Sequence, residues 1–275
     1  MKQVDFFGTQ VSRLILGDNS MVGLSYIPRQ YKSVDMLNYW TAENCVSALF
    51  EAERNGINTF MAVADPFILR VIREYKNQGG TMHIMFQTYP PIDLNVNIVQ
   101  MKPFNPITVY HQGTTADIWL EEGKVDFLRE RIERLRAMGL PTGLATHDPE
   151  IMFRAEEENW GIDFYMASLQ NPRKYAKEES TFLTGKEKET EFHLEDRAVM
   201  LEAIRKISKP CIVFKIFAGG QMFYDREPEE IPGLIKGSME EVFGWIKGGD
   251  IVLIGAFQKD SNQIKENVDI ANSLS

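Results

Sequence analysis

GLPTGLATHDPEIMFRAEEENWGIDFYMASLQNP, residues 139–172, carries the pattern on which the fold turns. Two short apolar runs, 142–147 and 164–169, flank a stretch that opens on Asp148 and Pro149, a capping residue followed by a proline at the first helical position. Strand, helix and strand in that order make a βαβ unit, in which the helix returns the chain so that the second strand runs parallel to the first. Both runs are apolar almost throughout instead of alternating with polar residues, as strands buried on both faces are.

The same rhythm extends along the chain from Ser12 onward. Short apolar runs at 13–16, 59–63, 83–88, 107–111, 142–147, 164–169, 211–217 and 251–257 alternate with amphipathic stretches. Thr41 caps a helix running to Gly56, and Val125, Leu128, Ile132 and Leu135 repeat at spacings of three and four before Gly139. Ser238 and Glu241 have the form of a capping box ahead of Val242. Eight strand–helix units in 275 residues predict an α/β fold, a single (β/α)8 TIM barrel spanning 1–275. One crossover is long: a charged insertion at about 172–194 after the sixth strand, with the composition of a lid or a solvated loop. A second, 20–39, is rich in aromatic residues and predicts a pocket wall or a plug for one end of the barrel.

Composition narrows the function classes. Hydrophobic residues at 44% and charged residues at 25% are the balance of an ordinary globular protein, and the formal net charge of -9 repels phosphate backbones and anionic lipid. Neither nucleic acid nor membrane is an expected partner. The first residues lack the charge and apolar pattern of a secretory signal, so a cytoplasmic location is expected. Cys45 and Cys211, far apart and without metal-ligand spacing, read as buried small apolar side chains. A homodimer is expected from base rates for such barrels alone.

In a barrel of this kind chemistry sits where the strands end. The ends here are polar: Asp18 and Asn19 after the first strand, Asp65 after the second, Gln87 in the third, His111 in the fourth, His147 in the fifth, Gln170 and Asn171 at the sixth, Lys215 in the seventh. His111, His147, Asp65 and Lys215 are the expected catalytic set, and Asp18, Asn19, Gln87 and Asn171 the expected substrate contacts. Lys215 points inward if the alternation is regular, and then needs a carboxylate partner or a lowered pKa. Gly219 and Gly220, with Gly255 and the helix opening near Asp260, occupy the usual barrel phosphate position.

At this point the chain resembles the aldo-keto reductase superfamily, most closely an uncharacterised bacterial branch of such barrels. VSRLILG (11–17) is similar to the family's first strand, GINTF (56–60) to its second, GLATH (143–147) to its fifth, DFYMASLQNP (163–172) to its sixth and VFKIFAGG (213–220) to its seventh. The resemblance implies that Gln170 holds the nicotinamide amide and that Gln263, Glu266 and Asn267 contact the adenosine part of NADP. The family's catalytic aspartate, tyrosine and lysine are replaced: Met61 follows Phe60, Asp65 lies displaced, no tyrosine follows before Tyr75, and Gln87 stands near the lysine position. His111 alone matches.

Three readings follow. The first is an aldo-keto-reductase-like enzyme acting on a small polar metabolite, NADP-linked, with His111 as proton donor or electrophile and His147 or Asp65 as its partner. The second is a lyase, isomerase or hydrolase without nicotinamide, using a divalent metal on His111, His147 and a carboxylate from Asp18, Asp65 or Asp148, or a Schiff base on Lys215. No HxH or HExxH spacing marks a metal site. The third is a barrel that binds a ligand without catalysis.

Overall fold

The computed structural model describes residues 1–175, 177 and 190–274. Most of the charged insertion at about 172–194 therefore lies outside the described residues. A hairpin comes first, β1 (Gln3–Phe6) and β2 (Thr9–Ser12), antiparallel across a two-residue turn in which Phe7 and Gly8 both take positive φ, 54° and 82°. That is the turn geometry whose twist matches a tight hairpin.

Eight parallel strands then close into a barrel: β3 (Leu14–Gly17), β4 (Thr59–Val63), β5 (His83–Gln87), β6 (Thr108–His111), β7 (Thr142–Thr146), β8 (Phe164–Ser168), β9 (Cys211–Phe214) and β10 (Ile251–Ile254). Val252 opposite Leu14 closes the ring. Helices α1 (Ser33–Tyr39), α2 (Ala42–Arg54), α3 (Pro66–Asn77), α4 (Leu94–Met101), α5 (Gly113–Glu121), α6 (Val125–Arg136), α7 (Pro149–Glu157), α8 (Pro172–Tyr175), α9 (Glu195–Lys206), α10 (Ile231–Trp245) and α11 (Gln263–Ser273) follow in chain order. The expected (β/α)8 TIM barrel is the fold found.

Strand alternation sorts the core into two layers. Ile15, Met61, Met85, Tyr110, Ala145, Phe164, Met166, Ile212, Ile251 and Leu253 fill the barrel, and Val4, Phe6 and Val11 of the hairpin pack onto this inner cluster. Leu14, Leu16, Phe60, Ala62, Ile84, Phe86, Val109, Leu144, Tyr165 and Val213 face outward, into the larger layer under the helices. The hairpin stops one mouth of the barrel, with the Phe6 and Phe164 rings 5.3 Å apart. It lies ahead of the first expected strand, although the alternation in Gln3–Phe6 and the Phe7-Gly8 turn are readable signals.

Several expected boundaries move. The barrel strands stop before their polar ends, so His147 and Lys215 lie just beyond β7 and β9. Thr41 does cap α2, its hydroxyl accepting from the Asn44 amide at 3.1 Å. Ser238 caps nothing: it is mid-helix in α10, where its hydroxyl donates to the Ile216 carbonyl and Glu241 pairs with Arg197. Helix α10 starts earlier because Pro232 supplies a first-turn proline. Cys45 and Cys211 are buried free thiols. Among the described residues, no helix is long and apolar enough to cross a membrane.

Candidate functional site

A cavity of about 990 Å³ opens at the strand-end mouth opposite the hairpin. Its floor is the last inward residue of successive strands: Met61, Gln87, Tyr110, Ala145, Met166 and Leu253. The Tyr110 hydroxyl donates to Gln87 Oε1 at 3.1 Å and also reaches Met61 Sδ. Burial holds that phenol well above its usual range, so it is neutral at any ordinary pH.

On one wall three side chains form a chain, Asp117–His147–Lys215. Asp117 comes from α5, which packs on β7 because Gly113 permits it: a Cβ there would lie 3.2 Å from Ala145. One turn on, Asp117 Oδ1 accepts from the Thr146 hydroxyl at 2.7 Å, and Oδ2 lies 2.7 Å from His147 Nδ1. A carboxylate cannot donate, so His147 carries its proton on Nδ1 and leaves Nε2 as an acceptor. Lys215 Nζ is 3.0 Å from that Nε2.

Lys215 does not arrive there by alternation. Ile212 and Phe214 belong to the inner layer, so the next residue on a regular strand faces out. Instead Lys215 takes φ of 59°, a left-handed conformation rare outside glycine, and this turn swings the side chain back over the cavity. Its ammonium lies 4.9 Å from the Tyr26 ring centroid, 4.8 Å from that of Phe192 and 5.7 Å from that of Phe214. The side chain is half-buried and borders the cavity, with its amine set among these rings. Burial brings its pKa down to about 7, against an opposing pull from Asp117. Burial, and then the neighbouring Lys215, also lower the pKa of His147.

Asp18 stands elsewhere on the rim. Its Oδ2 accepts from the Val63 amide at 2.7 Å, and burial raises its pKa to about 7. Asn19, Gln87, Gly219, Gly220, Gln263, Glu266 and Asn267 also border the cavity. Arg173 does so too, held by Glu121 through two hydrogen bonds, 3.0 and 2.6 Å.

The remaining expected site residues lie elsewhere. His111 faces outward, since Tyr110 takes the inward phase of β6; it is wedged against Trp119, its Nε2 accepting from Arg131 Nε at 3.2 Å. Burial and the adjacent Arg131 push its pKa to about 3, so it is a neutral packing residue. Asp65 is the cap of α3, accepting from the Phe67 and Ile68 amides at 2.8 and 3.2 Å, and Asp148 caps α7 in the same way. Asn171 accepts from the Lys174 amide in α8. Gln170 is fully buried away from the cavity, with both amide atoms unpartnered among the described residues. Among those residues no group of three or more His, Cys, Asp or Glu side chains is clustered so as to hold a metal. Asp117, conversely, is absent from the expected set. A lone acid between Ala116 and Ile118 on a helix that starts at Gly113 was its one signal.

No family model matches the chain, and no curated protein matches it in sequence. Solved structures do match in fold. A variant of Gox0644 in complex with NADPH superposes with a TM-score of 0.59 at 9% identity, over 98% of this chain and 87% of that one. Dihydropteroate synthase of Yersinia pestis, with a sulfonamide drug, gives 0.58 at 10% identity over 99% and 97%. The glycerol dehydrogenase AKR11B4 from Gluconobacter oxydans gives 0.54 at 11% identity over 98% and 95%. The resemblance to aldo-keto reductases is therefore one of barrel architecture, shared with a synthase of different chemistry.

Proposed function

We propose that this chain is a barrel enzyme that condenses Lys215 with the carbonyl carbon of an aldehyde or ketone and uses the resulting iminium as an electron sink. The observation that carries the reading is an amine bordering the cavity, ringed by aromatic side chains and in contact with an acceptor imidazole that a buried carboxylate orients. A lysine with a pKa near 7 is in large part unprotonated at neutral pH, as a nucleophile must be.

The step balances without any co-reactant. The Nζ lone pair forms a bond to the carbonyl carbon while the C=O π pair moves to oxygen, which takes up a proton. The proton taken up by the oxygen comes from solvent in the open cavity; Nζ gives its own proton to His147 Nε2, and the same nitrogen returns it to the carbinolamine hydroxyl, which leaves as water, so that amine, carbonyl and one solvent proton become iminium and water. Asp117 steadies the imidazolium formed in between. The cationic iminium then withdraws electrons from the bond next to it, so cleavage or isomerisation at the adjacent carbon is the class of reaction supported. Asp18, half ionised near neutrality, is a candidate second acid–base group.

The NADP-linked reading has one observation behind it: Gly219, Gly220, Gln263, Glu266 and Asn267 border the same cavity. The other end does not fit. Gln170, the expected nicotinamide contact, is sealed away, and even at the adenosine end Gln263 Oε1 already accepts from the Phe257 amide at 2.8 Å. No hydride step follows, and titration with NADPH is expected to give no saturable quench of protein fluorescence.

The deciding experiment is borohydride trapping with small aldehydes at pH 7, followed by peptide mass spectrometry. Lys215 is expected to be alkylated well ahead of the surface lysines. Modification spread evenly over all lysines, with Lys215 untouched, overturns the proposal; ligand binding without trapping would instead favour a non-catalytic binding barrel.

A further inference from the structure

Two of the rings around the Lys215 amine come from different loops, and one side chain holds both. Tyr26 lies between β3 and α1, and Phe192 lies three residues ahead of α9. Gln221, in the short 3-10 helix Ala218–Phe223 that follows Lys215, has its side chain between them. Its Nε2 donates to the Tyr26 carbonyl at 2.9 Å and to the Thr190 carbonyl, and its Oε1 accepts from the Phe192 amide at 3.1 Å. Two of these hydrogen bonds tie the backbones of both ring-bearing residues to the turn that carries the lysine, and the third holds Thr190, two residues before Phe192.

The backbone around this clasp is shaped for it. Gly219 takes φ of 63°, and a Cβ there would lie 2.7 Å from both the Tyr26 and the Phe192 side chains. Ala218 also has positive φ, 48°, so the turn tolerates strained backbone where the amide must reach two loops. The Tyr26 and Phe192 rings are themselves in contact, centroids 5.2 Å apart, which makes them a lid over the amine.

We propose that Gln221 is a positioning residue for Lys215: by fixing Tyr26 and Phe192 over the amine it excludes water and so keeps the amine in its unprotonated, nucleophilic form. The inference rests on the amine chemistry proposed above. Water reaching Nζ would solvate the ammonium and restore the ordinary lysine proton affinity. The ionisable groups facing the amine are few among the described residues: His147 from the end of β7, Asp117 behind it on α5, and the Tyr26 phenol, whose own pKa burial raises to about 12. None of them is changed by substituting Gln221.

The test measures the proton affinity of the amine directly. Full-length protein is pulse-labelled with acetic anhydride across pH 6 to 11, and the rate at Lys215 is read by peptide mass spectrometry. Gln221→Met keeps the side-chain size and removes all three hydrogen bonds; its Lys215 midpoint is expected to rise by at least one pH unit, cutting aldehyde trapping at pH 7 at least about fivefold. Gln221→Leu likewise removes all three hydrogen bonds without adding a charge and is expected to rise as well. Far-ultraviolet circular dichroism checks that both variants are folded. A midpoint unchanged in folded Gln221→Met overturns the proposal. Labelling does not depend on catalysis, so a shifted midpoint in a protein that traps no aldehyde would retain Gln221 as the clasp and sink the Schiff-base reading instead.

Discussion

The left-handed backbone at Lys215 and the burial of its amine both cost stability, and the contacts they create serve the amine rather than the core. A non-glycine residue in that conformation costs roughly 1–2 kcal/mol. Methionine keeps the backbone strain but removes the cost of burying the amine, so Lys215→Met is expected to abolish aldehyde trapping while raising stability at pH 7 by at least about 1 kcal/mol in urea unfolding, the usual trade of an active-site residue. A loss of stability in this variant would show that the amine is a structural partner of His147. At the other end of the chain, Asp117→Asn preserves size but lets the side chain donate, so His147 can adopt the wrong tautomer. Trapping is expected to slow on the order of 10²-fold, with the fold intact by circular dichroism. His111→Ala should leave trapping within about twofold and cost instead roughly 1–2 kcal/mol, because it leaves Arg131 without its acceptor. The pairing of Tyr110 with His111 shows why the sequence was read a residue out of phase here. Both are chemically able side chains at a strand end, and only the register of Val109 against the outer layer decides which one looks into the barrel.

The position of Asp117 depends on how closely one helix approaches one strand. Gly113→Ala would place a methyl 3.2 Å from the Ala145 backbone, where the strand cannot yield, so α5 must lift away and carry Asp117 with it. The expected result is a loss of about 1–3 kcal/mol together with slower trapping, whereas an equally destabilising change in the hairpin, Phe6→Ala, should leave the trapping rate of the folded protein unchanged. Comparing the two at matched stability separates the helix's role in the site from its role in the fold. Elements of this kind were legible to different degrees. The eight barrel strands are continuous apolar runs bounded by glycine, proline and caps, and each of those signals is local. The hairpin strands are half exposed and lack the continuous apolar run that marks the barrel strands, and nothing in a helix's own sequence says which strand Asp117 packs on. Asp65 is the opposite case: a carboxylate directly before Pro66 is the signature of a helix cap, and the cap engages its Oδ1 with two amides.

For the molecule as a whole, the two walls of the cavity place opposite demands on pH. Lys215 binds its proton more weakly in the folded state than in the unfolded chain, with a pKa of about 7 against 10.5. Between those values the unfolded chain holds more protons, so the contribution of Lys215 to stability rises with pH across that window and is worst below it. Asp18 binds its proton more tightly when folded, with a pKa of about 7 against 3.8. In its window the native state holds more protons, so its contribution falls as pH rises from about 4 to 7. Together they put a trough in stability near pH 7, the region in which the proposed chemistry needs a free amine and an acid that is half ionised. Other carboxylates titrate in the acid range, so the trough is isolated by difference. The stability gained by Asp18→Asn should grow from pH 4 to 7 and then level off, while that gained by Lys215→Met should be flat below pH 7 and shrink toward pH 10, each changing by at most about 1.4 kcal/mol per pH unit. Urea titrations of the three proteins at five pH values measure this. Differences that do not vary with pH would mean that water fills the cavity around both groups, leaving the lysine charged and the proposed nucleophile without its free electron pair.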